Sequence, residues 1–206
     1  MTHIKICGIT TLNDALAAVD AGADLLGFNF YPQSPRYIEP DSCRKITSLL
    51  GMECPHITLV GVFVNSPAPQ IGAILETCHL HLAQLHGDEP PEMLAALGKR
   101  AFKAFRGVPT DITAYTRDAA PALLVDSAVK GLYGGSGVTT DWGKAAELSK
   151  QIPLLLAGGL TPGNVAQAIA QVRPWGVDTA SGVESSPGVK DVQKMRDFVA
   201  AARNVK

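Results

Sequence analysis

Ile4-Lys5-Ile6-Cys7-Gly8-Ile9-Thr10 is a short strand pattern that runs directly into a turn. Successive side chains of a strand point to opposite faces, so Ile4 and Ile6 share one face while Lys5 and Cys7 share the other. The turn is Cys7-Gly8-Ile9-Thr10, whereas an open doubly wound sheet usually shows a Gly-rich fingerprint straight after its first strand. Outward from this unit the same alternation recurs. Apolar, β-rich runs stand at Ile4–Cys7, Leu25–Phe30, Ile57–Val64, Leu82–Leu85, Ala101–Phe105, Ala122–Val125, Pro153–Ala157 and Gly176–Thr179. Between them lie amphipathic stretches such as Asn13–Ala21, Ala68–Thr77, Pro91–Leu97, Pro162–Gln171 and Val189–Ala202. Alternating β and α elements imply a parallel sheet with helical crossovers, and eight such units close into a barrel. The 206 residues give each unit about 26, near the lower end for this fold. The expected architecture is one α/β domain over residues 1–206, a single-domain (β/α)8 TIM barrel with eight parallel strands.

Composition narrows the function classes. With 46% hydrophobic and 18% charged residues the chain has the profile of a globular protein with a substantial core. The net charge is −1 and the 18 Lys and Arg residues are scattered, so no basic stripe offers itself to nucleic acid. The longest apolar runs are too short for a membrane span, and the first residues lack the apolar stretch of a signal peptide. A cytoplasmic location is expected. Cysteines 7, 43, 54 and 78 show no paired framework, and no disulfide is expected.

In a (β/α)8 barrel the active site gathers at the C-terminal ends of the strands. Polar residues in that position are Cys7, Asn29, Arg36, Asn65, His86, Asp126, the Gly158-Gly159 pair, and Asp178 with Ser181-Gly182. A lone strand cysteine is commonly a small buried hydrophobe. An interior lysine one layer away changes its chemistry, because a thiol of ordinary pKa becomes a working base only beside a positive charge or dipole. Lys5 could supply that charge, or form a structural ion pair with Asp126 or Asp178. The loops after strands seven and eight, Leu156–Pro162 and Asp178–Gly182, carry the glycines that let backbone N–H groups approach phosphate oxygens. From its own pattern Arg36 is either a solvated loop residue or a fork for a carboxylate.

Together these motifs resemble the phosphoribosylanthranilate isomerase family of tryptophan biosynthesis. The resemblance runs in order through Lys5-Ile6-Cys7-Gly8-Ile9-Thr10, Ser34-Pro35-Arg36, Gly61-Val62-Phe63-Val64-Asn65 and Gln84-Leu85-His86-Gly87. It continues through Val125-Asp126, Gly134-Gly135-Ser136-Gly137, Ala157-Gly158-Gly159-Leu160 and Ala180-Ser181-Gly182-Val183-Glu184. It implies an Amadori rearrangement of N-(5-phosphoribosyl)anthranilate with catalytic Cys7 as general base and Asp126 as general acid. It further implies substrate binding by Lys5, Arg36 and Asp178, with Arg36 on the anthranilate carboxylate, and phosphate binding by Gly158, Gly159, Ser181 and Gly182. These tasks call for opposed shifts, a raised Asp126 and a Cys7 lowered by Lys5. No cofactor and no metal are implied. The partner is a small phosphorylated sugar, with no nucleic acid and no membrane, and the chain is a monomer or a homodimer.

The chain departs from the family at Thr179-Ala180, at Ser136, and at Val138-Thr139-Thr140 in the sixth loop. Other readings compete, among them an indole-forming tryptophan enzyme and a phosphate-ligand binding protein without catalysis, and two are more closely argued. One is the related sugar-phosphate barrel isomerase of histidine biosynthesis, which typically ends strand one with Asp rather than Cys. The other is a Cys/His metal-binding module on Cys54-Pro55-His56 and Cys78-His79-Leu80-His81, whose residue types suit zinc but whose spacing fits no common finger.

Overall fold

The computed structural model describes residues 1–126 and 141–205. Eight parallel strands close on one another in chain order: β1 (His3–Cys7), β2 (Leu25–Asn29), β3 (Thr58–Phe63), β4 (Leu82–Leu85), β5 (Ala101–Arg106), β6 (Leu123–Asp126), β7 (Leu154–Leu156) and β8 (Gly176–Thr179). The barrel expected from the alternation is present, and every strand lies within two residues of its sequence reading. Closure brings Lys5 opposite Asp178 where β1 meets β8, and Cys7 opposite Gly27 where β1 meets β2.

The pleat separates two apolar regions. Outward residues such as Ile4, Ile6, Leu26, Phe28, Phe63, Leu123 and Val177 pack under the helices. Inward residues Leu25, Val60, Phe102, Ala104, Leu124, Leu155 and Ala157 form a second cluster that fills the barrel. The interior is therefore a packed plug, as expected for eight strands, and polar inward groups sit at the mouth above it.

Helices α1 (Leu12–Ala21), α2 (Pro40–Glu53), α3 (Ala68–Thr77), α4 (Pro91–Leu97), α5 (Trp142–Ser149), α6 (Val165–Val172) and α7 (Val192–Arg203) form the outer ring. Thr11 caps α1 by accepting from the Asp14 N–H at 3.1 Å, and Asp191 caps α7 by accepting from Lys194 N–H at 3.0 Å.

Three details depart from the strict alternation. No helix lies between β5 and β6, where residues 107–122 carry Pro109, Asp111, Asp118 and Pro121 among β-branched residues and make only turns. The sixth helix starts at Val165 rather than Pro162. Asn164 turns its side chain back to the loop, accepting from Thr161 N–H at 2.8 Å and donating to the Gly159 carbonyl at 2.9 Å. Last, Val189 does not open the final helix. Residues Glu184–Ser186 (β9) and Val189–Lys190 (β10) pair antiparallel around Gly188, whose φ of +83° suits glycine. The hairpin is inserted between β8 and α7.

Candidate active site

The mouth is built from strand ends. On β1, Lys5 is fully buried and donates to Asp178 Oδ1 at 2.9 Å, which answers which of the two carboxylates it takes. Asp126 is therefore not the partner of this buried ammonium. Cys7, one pleat nearer the mouth, is buried beside the same pair. Gly27 makes room for both: a Cβ there would stand 2.8 Å from Cys7 Sγ and 3.1 Å from Lys5 Nζ.

The charge environment of Cys7 differs from expectation in its net direction. Lys5 does favour the thiolate, but burial outweighs it, and the thiol is pushed above its ordinary value with Asp178 adding to the rise. A desolvated thiolate loses more hydration than one buried ammonium, itself neutralised by Asp178, returns. Lys5 for its part stays above the usual lysine range, because Asp178 and Cys7 overcome the burial that would lower it.

Asp126 ends β6, is buried, and faces His86 from the end of β4, with His86 Nε2 at 3.5 Å from Asp126 Oδ2. The other ring nitrogen, Nδ1, lies 2.8 Å from Gln84 Nε2. An amide N–H donating to Nδ1 assigns the imidazole proton to Nε2. Asp126 and Asp178 line one recess together with Gly158, Gly159, Thr179, Ala180 and Ser181. The glycine loops stand directly over it.

Those loops are locked together. Gly158 and Gly159 have φ of +90° and +60°. Thr179 Oγ1 donates to the Leu160 carbonyl at 2.8 Å, and a Cβ on Gly182 would fall 1.9 Å from the same oxygen. Only glycine permits that approach. Ser181–Val183 form a single 3-10 turn after β8. Among the described residues the backbone N–H groups of Gly158, Gly159, Ser181 and Gly182 make no loop or cap hydrogen bond with protein.

Arg36 lies over Gly8, where a Cβ would be 2.5 Å from its Cδ. Its guanidinium is already engaged: Nε and Nη2 donate to Glu184 Oε1 and Oε2 at 2.8 and 2.7 Å. Glu184 also accepts from Lys190 Nζ at 2.8 Å. Burial opposes the charge on Glu184, but the hydrogen bonds from Arg36 and Lys190 prevail and hold its carboxyl below the ordinary range. The fork leaves Nη1 and one N–H of Nη2 for another acceptor.

Glu184 and Lys190 carry no role in the sequence reading, which places Val189 and Lys190 in the last helix and assigns no strand to Glu184–Ser186. The turn dipeptide Pro187-Gly188 was the available signal. Asn29 and Asn65, by contrast, serve their loops. Asn29 Oδ1 accepts from Tyr31 N–H at 2.8 Å, and Asn65 Oδ1 accepts from Asp88 N–H at 2.7 Å. The sixth-loop motif Gly134–Gly137 and the Val138-Thr139-Thr140 variation lie outside the described residues.

The Cys/His segments are not gathered into a ligand set. Among the described residues no group of three or more His, Cys, Asp or Glu side chains could hold a metal ion. His81 Nδ1 accepts from Leu59 N–H at 2.9 Å, and Cys78 Sγ donates to the Pro40 carbonyl at 3.3 Å. All four cysteines are free thiols. A hollow of ≈ 570 Å³ at the opposite end of the barrel is lined by Thr2, Arg173, Trp175 and Arg203. None of the strand-end residues lines it.

Comparison with known proteins bears on the family and the fold. Residues 4–201 match the family model described as N-(5'phosphoribosyl)anthranilate (PRA) isomerase. An N-(5'-phosphoribosyl)anthranilate isomerase of Roseiflexus sp. is 49% identical over 213 residues, covering 98% of this chain and 98% of the relative. Among solved structures, the phosphoribosyl anthranilate isomerase of Thermus thermophilus superposes with a TM-score of 0.86 at 38% identity over 100% of both chains. A second, solved in complex with reduced 1-(o-carboxyphenylamino)-1-deoxyribulose 5-phosphate, gives 0.83 at 36% identity, covering 98% of this chain and 99% of that one.

Proposed function

The chain belongs to the N-(5'-phosphoribosyl)anthranilate isomerase family, and from that premise we propose that it converts N-(5'-phosphoribosyl)anthranilate to 1-(2-carboxyphenylamino)-1-deoxyribulose 5-phosphate in tryptophan biosynthesis, with residues 1–206 acting as one catalytic barrel. The observation that carries the assignment of roles is the recess lined by the buried carboxyls Asp126 and Asp178 and the two glycine loops, with the buried Cys7 thiol on β1, the strand that pairs with the one bearing Asp178.

Asp126 acts first as general acid. It protonates the furanose ring oxygen as the C1–O bond breaks, leaving a Schiff base between C1 and the anthranilate nitrogen. His86, 3.5 Å away across the mouth, is the neighbour of this carboxyl on the β4 side. Cys7 then removes the proton from C2, its electron pair forming the C1–C2 double bond of an enolamine. Protonation at C1 and loss of the C2 hydroxyl proton give the ketone. An acid and a base near their working pH gain most in such transfers.

The phosphate is held by the N–H groups of Gly158, Gly159, Ser181 and Gly182, whose carbonyl and hydroxyl neighbours are already consumed in bracing the loops. Arg36 receives the anthranilate carboxylate on Nη1 while Glu184 keeps its other edge fixed. Asp178 orients the anthranilate amine or a sugar hydroxyl, and Lys5 acts through it from below.

Generating the substrate in situ and following its fluorescence decay tests the reading. Wild type should turn it over, and Cys7→Ala and Asp126→Asn should each lose at least about a hundredfold in kcat with KM little changed, the usual worth of a general acid or base. No turnover by wild type defeats the activity; full activity in Cys7→Ala defeats the assignment of the base.

A further inference from the structure

Around Cys7 the structure gathers one more cation than the rearrangement employs. Lys190 ends the β9–β10 hairpin, and its side chain has no exposed surface. Its ammonium donates to Glu184 Oε1 at 2.8 Å and to the Ala180 carbonyl at 3.1 Å, while Lys194 donates to the Glu184 carbonyl at 2.8 Å. The hairpin is pinned to the first two βα loops. Thr10 Oγ1 donates to the Gly188 carbonyl at 3.4 Å, and Gly188 packs so closely that a Cβ would meet the Pro35 carbonyl oxygen at 2.4 Å. Ile6 pairs with Thr179 across the β1–β8 seam, so Cys7 and Ala180 are the next residues of the two paired strands. The Lys190 ammonium held on the Ala180 carbonyl therefore stands on the thiol's side of the mouth, where its charge favours the thiolate.

Counting the groups that face Cys7 shows what this accomplishes. Lys5 from β1 and Asp178 from β8 form one pair and cancel. Arg36 from the second βα loop and Lys190 from the hairpin share the single carboxylate of Glu184. Lys5 still weighs more on the thiol than Asp178 does, and the hairpin cluster adds one net positive charge to what that pair supplies. When a substrate carboxylate occupies Arg36 the sum falls to neutral, and without Lys190 it would be negative. Burying an ammonium has a large desolvation cost, and a site that only needed to anchor Arg36 has Glu184 for that.

We propose that Lys190 is a positioning residue acting through Cys7, the cation that keeps the thiolate available when the C2 proton is taken. The inference rests on Cys7 being the base. Burial works against the charge on Lys190 itself, with Glu184 and Cys7 both opposing that effect.

The test titrates thiolate absorbance near 240 nm in the full chain, subtracting the Cys7→Ser trace so that only Cys7 is read. Lys190→Gln retains hydrogen-bonding atoms and removes the charge; its Cys7 midpoint should rise by about one unit, with an approximately tenfold loss of kcat/KM on the acid limb, expressed in kcat rather than KM. Lys190→Arg should titrate close to wild type. A Lys190→Gln protein whose Cys7 titrates as in wild type overturns the proposal. Should that variant not fold, Glu184→Gln is compared with Glu184→Gln/Lys190→Gln, a pair that differs only in the Lys190 charge; the Cys7 midpoint of the double variant must lie higher by the same amount, and equal midpoints overturn the proposal. Activity persisting in Cys7→Ser would defeat the base assignment separately, because the absorbance titration decides the link between Lys190 and the thiol whatever Cys7 does.

Discussion

At the scale of the residue, the Lys5–Asp178 pair is the costliest feature of the mouth to disturb. Both groups are buried, so Lys5→Met should lower the unfolding free energy by about 3–5 kcal/mol in urea, by leaving Asp178 charged and unpaired. Lys5→Met/Asp178→Leu should recover most of that stability and none of the activity. The thiols make a second measurable contribution. Burial pushes Cys43 far above its ordinary value, with Cys78 beside it adding to the rise, and burial raises Cys78 and Cys7 as well. A group whose folded pKa is raised keeps its proton in the native state after the unfolded chain has released it. Its stability contribution is complete below about pH 8.5 and declines above that by at most about 1.4 kcal/mol per pH unit per thiol. Urea midpoints measured from pH 7 to 10.5 should fall accordingly, and Cys43→Val should flatten the slope. Strand alternation and the strand-end rule were enough to find Lys5, Cys7, Asp126 and Asp178 from sequence. Which carboxylate Lys5 takes was not decidable there, because it depends on the register of β1 against β8. The direction of the Cys7 shift was also out of reach, since it turns on how completely the thiol is desolvated.

At the scale of the element, loops seven and eight behave as one unit through Thr179, Leu160 and Gly182. Gly182→Ala must drive the two loops apart, because the added carbon would overlap a backbone oxygen that no side-chain rotation can move. Inhibition by inorganic phosphate should weaken by about tenfold or more, the equivalent of 1.4 kcal/mol, with far-UV circular dichroism unchanged. The strands could be read closely because each is a compact β-rich run bounded by turn residues. The helices were harder to delimit where side chains compete for the backbone, as Asn164 does at α6. The hairpin escaped notice because its second strand is only two residues long and continues into an amphipathic helix. With it went Glu184 and Lys190, whose importance comes from the tertiary turn and not from any local pattern.

At the scale of the whole molecule, no helix among the described residues is long and apolar enough to cross a membrane. Among the described residues the crossover between β5 and β6 has no helix, on the side away from the β1–β8 seam. That seam joins the two ends of the chain. Lys5 reaches Asp178 across 173 positions, Arg36 reaches Glu184 across 148, and Arg203 reaches Asp24 across 179. Contacts of such separation are late and slow to form, since the intervening chain must be ordered before they repay its entropy. Refolding from urea should therefore restore far-UV signal before turnover, and catalytic activity should return only with the slowest phase of intrinsic fluorescence. Because the thiol and the cations around it are supplied by the first and last units, a ribosome-bound chain that has emerged only as far as β7 holds Cys7 but neither Asp178 nor Lys190. On the proposed roles, a truncated chain should show no turnover, because the thiol meets its neighbouring charges only when the last units have docked.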